Sequence, residues 1–473
     1  MTVDIRGEVG YGGVVTSPNG RNQPNTMATA THPTAAIEPA DPTTGGDYAR
    51  FIEAKRARVH PIGPVISPDD LHPWLHPWQR DGVAWAIRTG RAAFFWDCGL
   101  GKSPCQVEWA RRIAQTSLIV APLAVTTQTV REAANVDVEA RVVRSQDEVT
   151  GPGVYITNFE IAHKFDPAAF GAVVLDESSI LKTFNGATRT MLIEHFQSVP
   201  YRLACTATPA PNDVSELTNH AEFLGMASRV EMLARYFVHD DDGWRLKGHA
   251  GPAMWAWIGQ WAMALRRPSD IGGDDTGYVL PELSIVPHSL PVNDAPDGQL
   301  FATELGGVSG RAKVRRQTLD ARVSRAVDLV NADTDQWIVW CGLNNESDAV
   351  TAAIPGAVNV EGSWKPEEKA DALLAFADGK TRVLVTKASI AGFGMNFQGC
   401  HKMAFVGLSD SYESYYQCIR RCWRFGQRHP VQAHVILSEL EAQIAVNVAR
   451  KEREAHAAMD ALVETINRRE ATA

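Results

Sequence analysis

Two series of short apolar runs, each run followed by a helical stretch, constrain this chain more than any other feature. The first series occupies 92–96, 118–120, 154–156, 173–175 and 202–205. The second occupies 337–340, 357–360, 383–385, 403–406 and 433–437. A segment that is apolar at nearly every position suits a strand covered on both faces, the condition of a parallel sheet. Strand–helix alternation of this kind builds an α/β, doubly wound domain. Two series make two such domains in tandem.

The remaining stretches divide the chain further. Residues 1–46, rich in Gly, Pro, Thr, Ala and Asn and poor in large apolar residues, read as a disordered tail. The first domain is expected over 47–285 and includes a helical insertion, 213–280. Within it 216–224 and 254–265 read as helices, and the Trp257 and Trp261 rings on one face read as core. A Gly/Asp/Pro-rich connector covers 270–281. A linker, 286–320, precedes the second domain, 321–473, whose last element is one long charged helix over 440–466.

Composition excludes several classes. The chain has 473 residues, 45% hydrophobic and 21% charged, which is ordinary for a globular protein and wrong for a collagen or a coiled coil. No run of about 18 apolar residues is present, so no transmembrane helix is expected. Met1-Thr2-Val3-Asp4 opens on no apolar signal segment, and a cytoplasmic location is expected. The 7 cysteines have no framework spacing, which suits reduced thiols. Lys and Arg number 46 against 55 Asp and Glu, and 46 − 55 leaves −9. A protein that blankets a polyanion is usually basic. Contact with nucleic acid must therefore come from helix N-termini, loop amides and a few clustered arginines.

Three segments carry chemistry. Asp97-Cys98-Gly99-Leu100-Gly101-Lys102-Ser103 follows the first strand and opens a helix. Gly99 and Gly101 let the backbone approach phosphates, and successive amides at a helix N-terminus point at the anion. Lys102 is placed to reach the β- and γ-phosphates, and the Ser103 hydroxyl to ligate Mg²⁺. Trp96 stands where the strict phosphate-loop pattern has a glycine. Next, the strand Val173-Val174-Leu175 ends in Asp176-Glu177, at the edge where parallel sheets bind ligands. Asp176 suits Mg²⁺, and Glu177 suits orienting or deprotonating an attacking water. Thr206 and Thr208 close the following strand, either as γ-phosphate sensors or as a plain turn. Lastly, Gln417 to Gln427 includes Arg421 and Arg424, three apart and on one face if helical. Such guanidinium groups, brought from a second domain, neutralise a transferring phosphoryl group; a basic helix face is the plainer alternative.

In this order the segments resemble a superfamily-two helicase, of the Swi/Snf-like DNA translocases. The likeness spans about 47–450 and is closest to compact phage or prophage DEAD/DEAH-box helicases. It rests on Trp78-Gln79, 97–103, 118–122, Asp176-Glu177-Ser178-Ser179, 206–212, Leu265-Arg266-Arg267-Pro268, 391–396 and 417–427. The resemblance implies two RecA-like domains with ATP between them and DNA, duplex by preference, as the track. It also implies that Gln79 reads adenine and that Gly394 lies near the nucleotide or the DNA backbone. Asn396 would couple the two ligands, and Gln417, Arg421 and Arg424 would face ATP across the cleft. The chain departs from the family pattern at Ser178-Ser179, at Trp423 and by three extra residues before Ala391. The location expected is then a bacterial cell or a phage-infected host. An ATP-switched clamp with slow hydrolysis and an RNA helicase are the other readings. Arg311, Lys313, Arg315 and Arg316 form a basic cluster that either touches DNA or is a solvated face. If it touches DNA, removing its charge will flatten the salt dependence of DNA binding.

Overall fold

The computed structural model describes residues 59–182, 186–240, 243–291, 317–391, 396–409 and 411–470. The expected tail, the basic cluster at 311–316 and Gly394 lie outside the described residues.

Two parallel sheets form, one from each apolar series. The first contains β1 (Arg91–Trp96), β2 (Thr116–Ala121), β3 (Arg141–Val142), β4 (Gly153–Asn158), β5 (Ala172–Asp176), β6 (Tyr201–Cys205) and β9 (Ala262–Leu265). Their order is β3-β4-β2-β5-β6-β1-β9. A short antiparallel hairpin, β7 (Phe237–Asp240) and β8 (Gly243–Leu246), stands apart from it. The second sheet contains β10 (Leu283–Leu290), β11 (Trp337–Cys341), β12 (Val358–Asn359), β13 (Val383–Thr386), β14 (Lys402–Val406) and β15 (Val431–Ser438). Their order is β10-β15-β14-β11-β13-β12. Strands β5 and β11 are buried at every position. Helices on both faces account for this, and it explains why these strands read as continuous apolar runs rather than as alternations.

Register matters most in the middle of the first sheet. Asp176 lies level with Cys205, and Cys205 with Phe94. The carboxyl ends of β5, β6 and β1 therefore emerge side by side, and whatever follows each strand meets at one edge.

Three expectations need correction. The stretch 254–265 is not one helix. A helix covers Gly251–Ile258, and the chain then turns into β9, which completes the edge of the first sheet beside β1. Gly259 ends the helix, and Ala262–Leu265 is buried throughout, so sheet pairing overrides local helical periodicity. Trp257 and Trp261 are buried, with rings 5.7 Å apart and edge to face. Secondly, the stretch expected as a linker from 286 begins inside β10, which pairs with β15 over eight residues, Leu283 to Leu290. Its alternating half-buried and exposed positions and its Pro287 suit an edge strand. Thirdly, the expected insertion contributes the hairpin and β9 as well as helices.

The last helix, Ala442–Glu470, spans both cores. Ile444 and Val448 join the core of the second sheet, whereas Met459 and Leu462 join that of the first. Polar contacts continue the attachment. Arg266 pairs with Asp460 at 2.5 Å and donates to the His456 carbonyl, and the Lys451 ammonium donates to Asn212 Oδ1 at 3.1 Å. Among the described residues no helix is long and apolar enough to cross a membrane.

Leu462 is 1% exposed. Leu462→Ala removes a buried side chain from the first core, at a cost of about 2–5 kcal/mol. Chemical denaturation of the purified variant is expected to show the unfolding free energy lowered by that amount, with the midpoint falling accordingly.

Candidate active site

Three consecutive central strands supply one side of the site. After β1 the chain enters the glycine loop 97–101, and Lys102–Ile113 follows as a helix whose N-cap, Gly101, is left-handed at φ 75°. Gly99 has φ 88°. The dihedral disfavours a side chain at both positions, and space excludes one at Gly101 and is tight at Gly99. A Cβ on Gly101 would lie 2.4 Å from Gln79 Nε2, and one on Gly99 would lie 3.2 Å from Phe425 Cβ. The Lys102 ammonium donates to the Trp96 carbonyl at 2.9 Å and to the Asp97 carbonyl at 3.3 Å. Ser103 lies in the first helical turn.

Gln79 is 3% exposed and sits on the helix Pro77–Thr89. Its Nε2 donates to the Leu100 carbonyl at 2.9 Å, and its Oε1 accepts from the His76 amide. Gln79 thus braces the glycine loop from behind.

Asp176 ends β5 and is 4% exposed; its Oδ1 accepts from the Glu177 amide at 3.1 Å. Burial raises its carboxyl above the ordinary range, and Gln106 and Lys102 nearby pull it back. Glu177 adopts φ 51°, a left-handed conformation unusual for a residue with a side chain. Burial, reinforced by Asp176, raises its carboxyl to about 7, against the charges of Lys102 and Arg421. Its Oε2 is buried and has no hydrogen-bond partner among the described residues. An acidic oxygen held in this way is poised to take a proton from a guest.

The next strand end contributes Thr206, whose hydroxyl accepts from the Thr208 amide at 3.1 Å. Thr208 Oγ1 is buried without a partner among the described residues. Ser178 meets His220 at 3.1 Å, and burial lowers His220 to about 4, so it is neutral at physiological pH.

The second sheet supplies the opposite wall through the helix Tyr412–Cys422. Arg421 Nη2 donates to Gln417 Oε1 at 2.8 Å, and Gln417 Nε2 is buried without a partner among the described residues. The helix ends before Arg424, so Arg421 and Arg424 do not share a helical face as expected. Burial and the neighbouring Arg421 lower Arg424 to about 10, which leaves it charged at neutral pH. Asn396 carries a buried Oδ1 with no partner among the described residues.

The structure therefore brings Asp176, Lys102 and Arg421 close enough to Glu177 for their charges to act on it. Gln79 is hydrogen-bonded to the glycine loop, Thr206 and Thr208 follow β6 at the same sheet edge, and Gln417 is hydrogen-bonded to Arg421. Contacts that sequence reasoning missed join the two walls. Lys182 pairs with Glu413, and Trp423 Nε1 donates to the Pro281 carbonyl at 2.7 Å. Arg420 and Tyr416 both reach Asp97. The four-residue spacing of Tyr416 and Arg420, parallel to that of Gln417 and Arg421, is the available signal for a second helical face. Nothing in the local sequence singles out His220.

Parts of the chain are similar to known proteins. Residues 321–426 match the helicase conserved C-terminal domain. The mouse DNA annealing helicase and endonuclease ZRANB3 is 22% identical over 425 residues, covering 78% of this chain and 39% of the relative. The chain thus spans about two fifths of the length of that relative. The Sulfolobus solfataricus SWI2/SNF2 ATPase core in complex with dsDNA aligns at 16% identity and a TM-score of 0.42, covering 84% of this chain and 97% of that one.

Gly101→Ala introduces both a left-handed non-glycine residue and a clash with Gln79. It is expected to cost at least about 1 kcal/mol of stability, readable as a lowered midpoint in urea denaturation.

Proposed function

We propose that this chain, a superfamily-two helicase of the Swi/Snf-like group, is an ATP-driven DNA translocase with its catalytic site between the two parallel sheets. One observation carries the reading. A buried Glu177 oxygen with no hydrogen-bond partner among the described residues lies beside Asp176, at the same sheet edge as the glycine loop, and feels the charge of Arg421 from the opposite wall. A phosphoryl group bound there would meet a base, a cation site and a guanidinium together.

The donors present suit Mg²⁺. Asp176 and Ser103 offer hard oxygen ligands, which that ion prefers. When bound, the ion neutralises charge on the phosphates.

The residues divide the remaining work. The amides of the glycine loop and the Lys102 ammonium bind the phosphates, and Gln79, hydrogen-bonded to the Leu100 carbonyl, keeps the loop in shape. Glu177 accepts the proton of the attacking water. Arg421 and Arg424 balance the charge that builds on the γ-phosphoryl group. Thr206, Thr208, Asn396 and Gly394 couple this chemistry to the nucleic acid. Closing on ATP and opening after hydrolysis move the two domains alternately, a hinge transition driven by loss of γ-phosphate contacts. DNA, duplex by preference, is held through its phosphates, since the acidic net charge leaves local donors to do so.

Mg²⁺-dependent ATP hydrolysis tests the proposal, measured alone and with duplex DNA, single-stranded DNA or RNA. Strong stimulation by duplex DNA is expected; hydrolysis stimulated only by RNA, or by no nucleic acid, overturns it. Lys102→Ala is expected to abolish turnover and weaken ATP binding. Glu177→Gln is expected to retain ATP binding and lose about 10²- to 10⁴-fold in turnover. Because burial raises the Glu177 carboxyl to about 7, acidification protonates it. Turnover should fall as pH drops through neutrality, and the residual activity of Glu177→Gln should not follow that limb.

A further inference from the structure

The helix Tyr412–Cys422 presents two pairs of side chains at four-residue spacing. Gln417 and Arg421 face the catalytic carboxylates. Tyr416 and Arg420 face the entrance of the glycine loop instead. Arg420 pairs with Asp97 Oδ2 at 2.9 Å and donates from Nη2 to the Cys98 carbonyl, also at 2.9 Å. The Tyr416 hydroxyl donates to Asp97 Oδ1, which also accepts from the Cys98 amide at 2.7 Å. The Arg420 side chain is 4% exposed and that of Asp97 is 22% exposed. Trp423 and Tyr416 flank the guanidinium with ring centroids at 5.0 and 5.7 Å.

Each partner needs the other. A guanidinium buried this deeply requires a counter-charge. Asp97 is a carboxylate in the loop proposed to receive a triphosphate, and without Arg420 its charge would oppose that ligand. The same bonds fix the backbone at Asp97 and Cys98, just ahead of Gly99. The first turn of the loop is therefore shaped by a helix that belongs to the other sheet.

We propose that Arg420 and Tyr416 are positioning residues that latch the glycine loop across the cleft, so that phosphate affinity depends on the two domains being together. Arg420 acts through Asp97 and Cys98, whereas Arg421 acts at the reacting phosphoryl group. The proposal rests on the ATP reading for its ligand, but the latch itself can be tested without nucleotide.

The experiment is a charge-removal cycle in the full chain, read by binding of a fluorescent ATP analogue and by kcat and KM. Arg420→Met is expected to weaken binding at least tenfold, because it strands the Asp97 carboxylate beside the phosphates. Asp97→Asn in the same molecule should restore binding to within about threefold of wild type. Arg421→Met should lower kcat with a smaller effect on binding. Tyr416→Phe removes one hydroxyl and is the variant to use if Arg420→Met does not fold; a twofold to fivefold weakening is expected. Equal weakening in the single and double variants, or wild-type affinity in both Arg420→Met and Tyr416→Phe, overturns the proposal. Dyes at the exposed positions Val230 and Glu367 report the separation of the domains without ATP. Arg420→Met should lengthen that distance, and an unchanged distance counts against the latch. If the wild-type protein binds no ATP, yet Arg420→Met lengthens the distance, the nucleotide reading is overturned and the latch stands.

Discussion

A parallel strand buried on both faces can change what it carries only at its ends, because every other position is committed to packing and to ladder hydrogen bonds. That constraint organises this molecule. β5, β6 and β1 lie side by side in register, so the acidic pair, the threonine pair and the glycine loop emerge at one edge although they are far apart in sequence. No loop has to reach far. At that edge Glu177 holds a left-handed backbone conformation and an oxygen without a partner among the described residues.

The opposite wall adds charge to a site already crowded with it. Burial and Asp176 raise the Glu177 carboxyl, and they outweigh the two cations, Lys102 and Arg421. Arg420 is a different case. Burial acts to lower its proton affinity, yet Asp97 beside it raises that affinity. Two adjacent arginines on one helix thus have different partners: Arg421 donates to Gln417, and Arg420 pairs with Asp97.

Much of this is legible in the amino-acid sequence. Continuous apolar runs announce buried strands, and glycine-lysine-serine after such a run announces a loop that opens a helix. What stays hidden is set by distant partners. Residues 262–265 read as the end of a helix because their periodicity is local, whereas their role as β9 depends on β1. The stretch from 286 to Leu290 reads as linker because half the positions of β10 face away from the core. Arg420 is obscured by its neighbours, since spacing alone cannot say which face of a helix meets which wall. The terminal helix reads as merely charged because its apolar positions divide between two cores.

That division has a consequence for how the molecule is made. Met459 and Leu462 belong to the core built around β1 and β5, yet they leave the ribosome long after β5 is complete. The first domain, which an N-to-C order of folding would finish early, must wait with part of its core uncovered until the second has been synthesised. Its last packing step docks the final helix against β9 and the helix Gly251–Ile258, and a ribosome stalled before the final helix would present an apolar seam to whatever chaperone or neighbour is at hand.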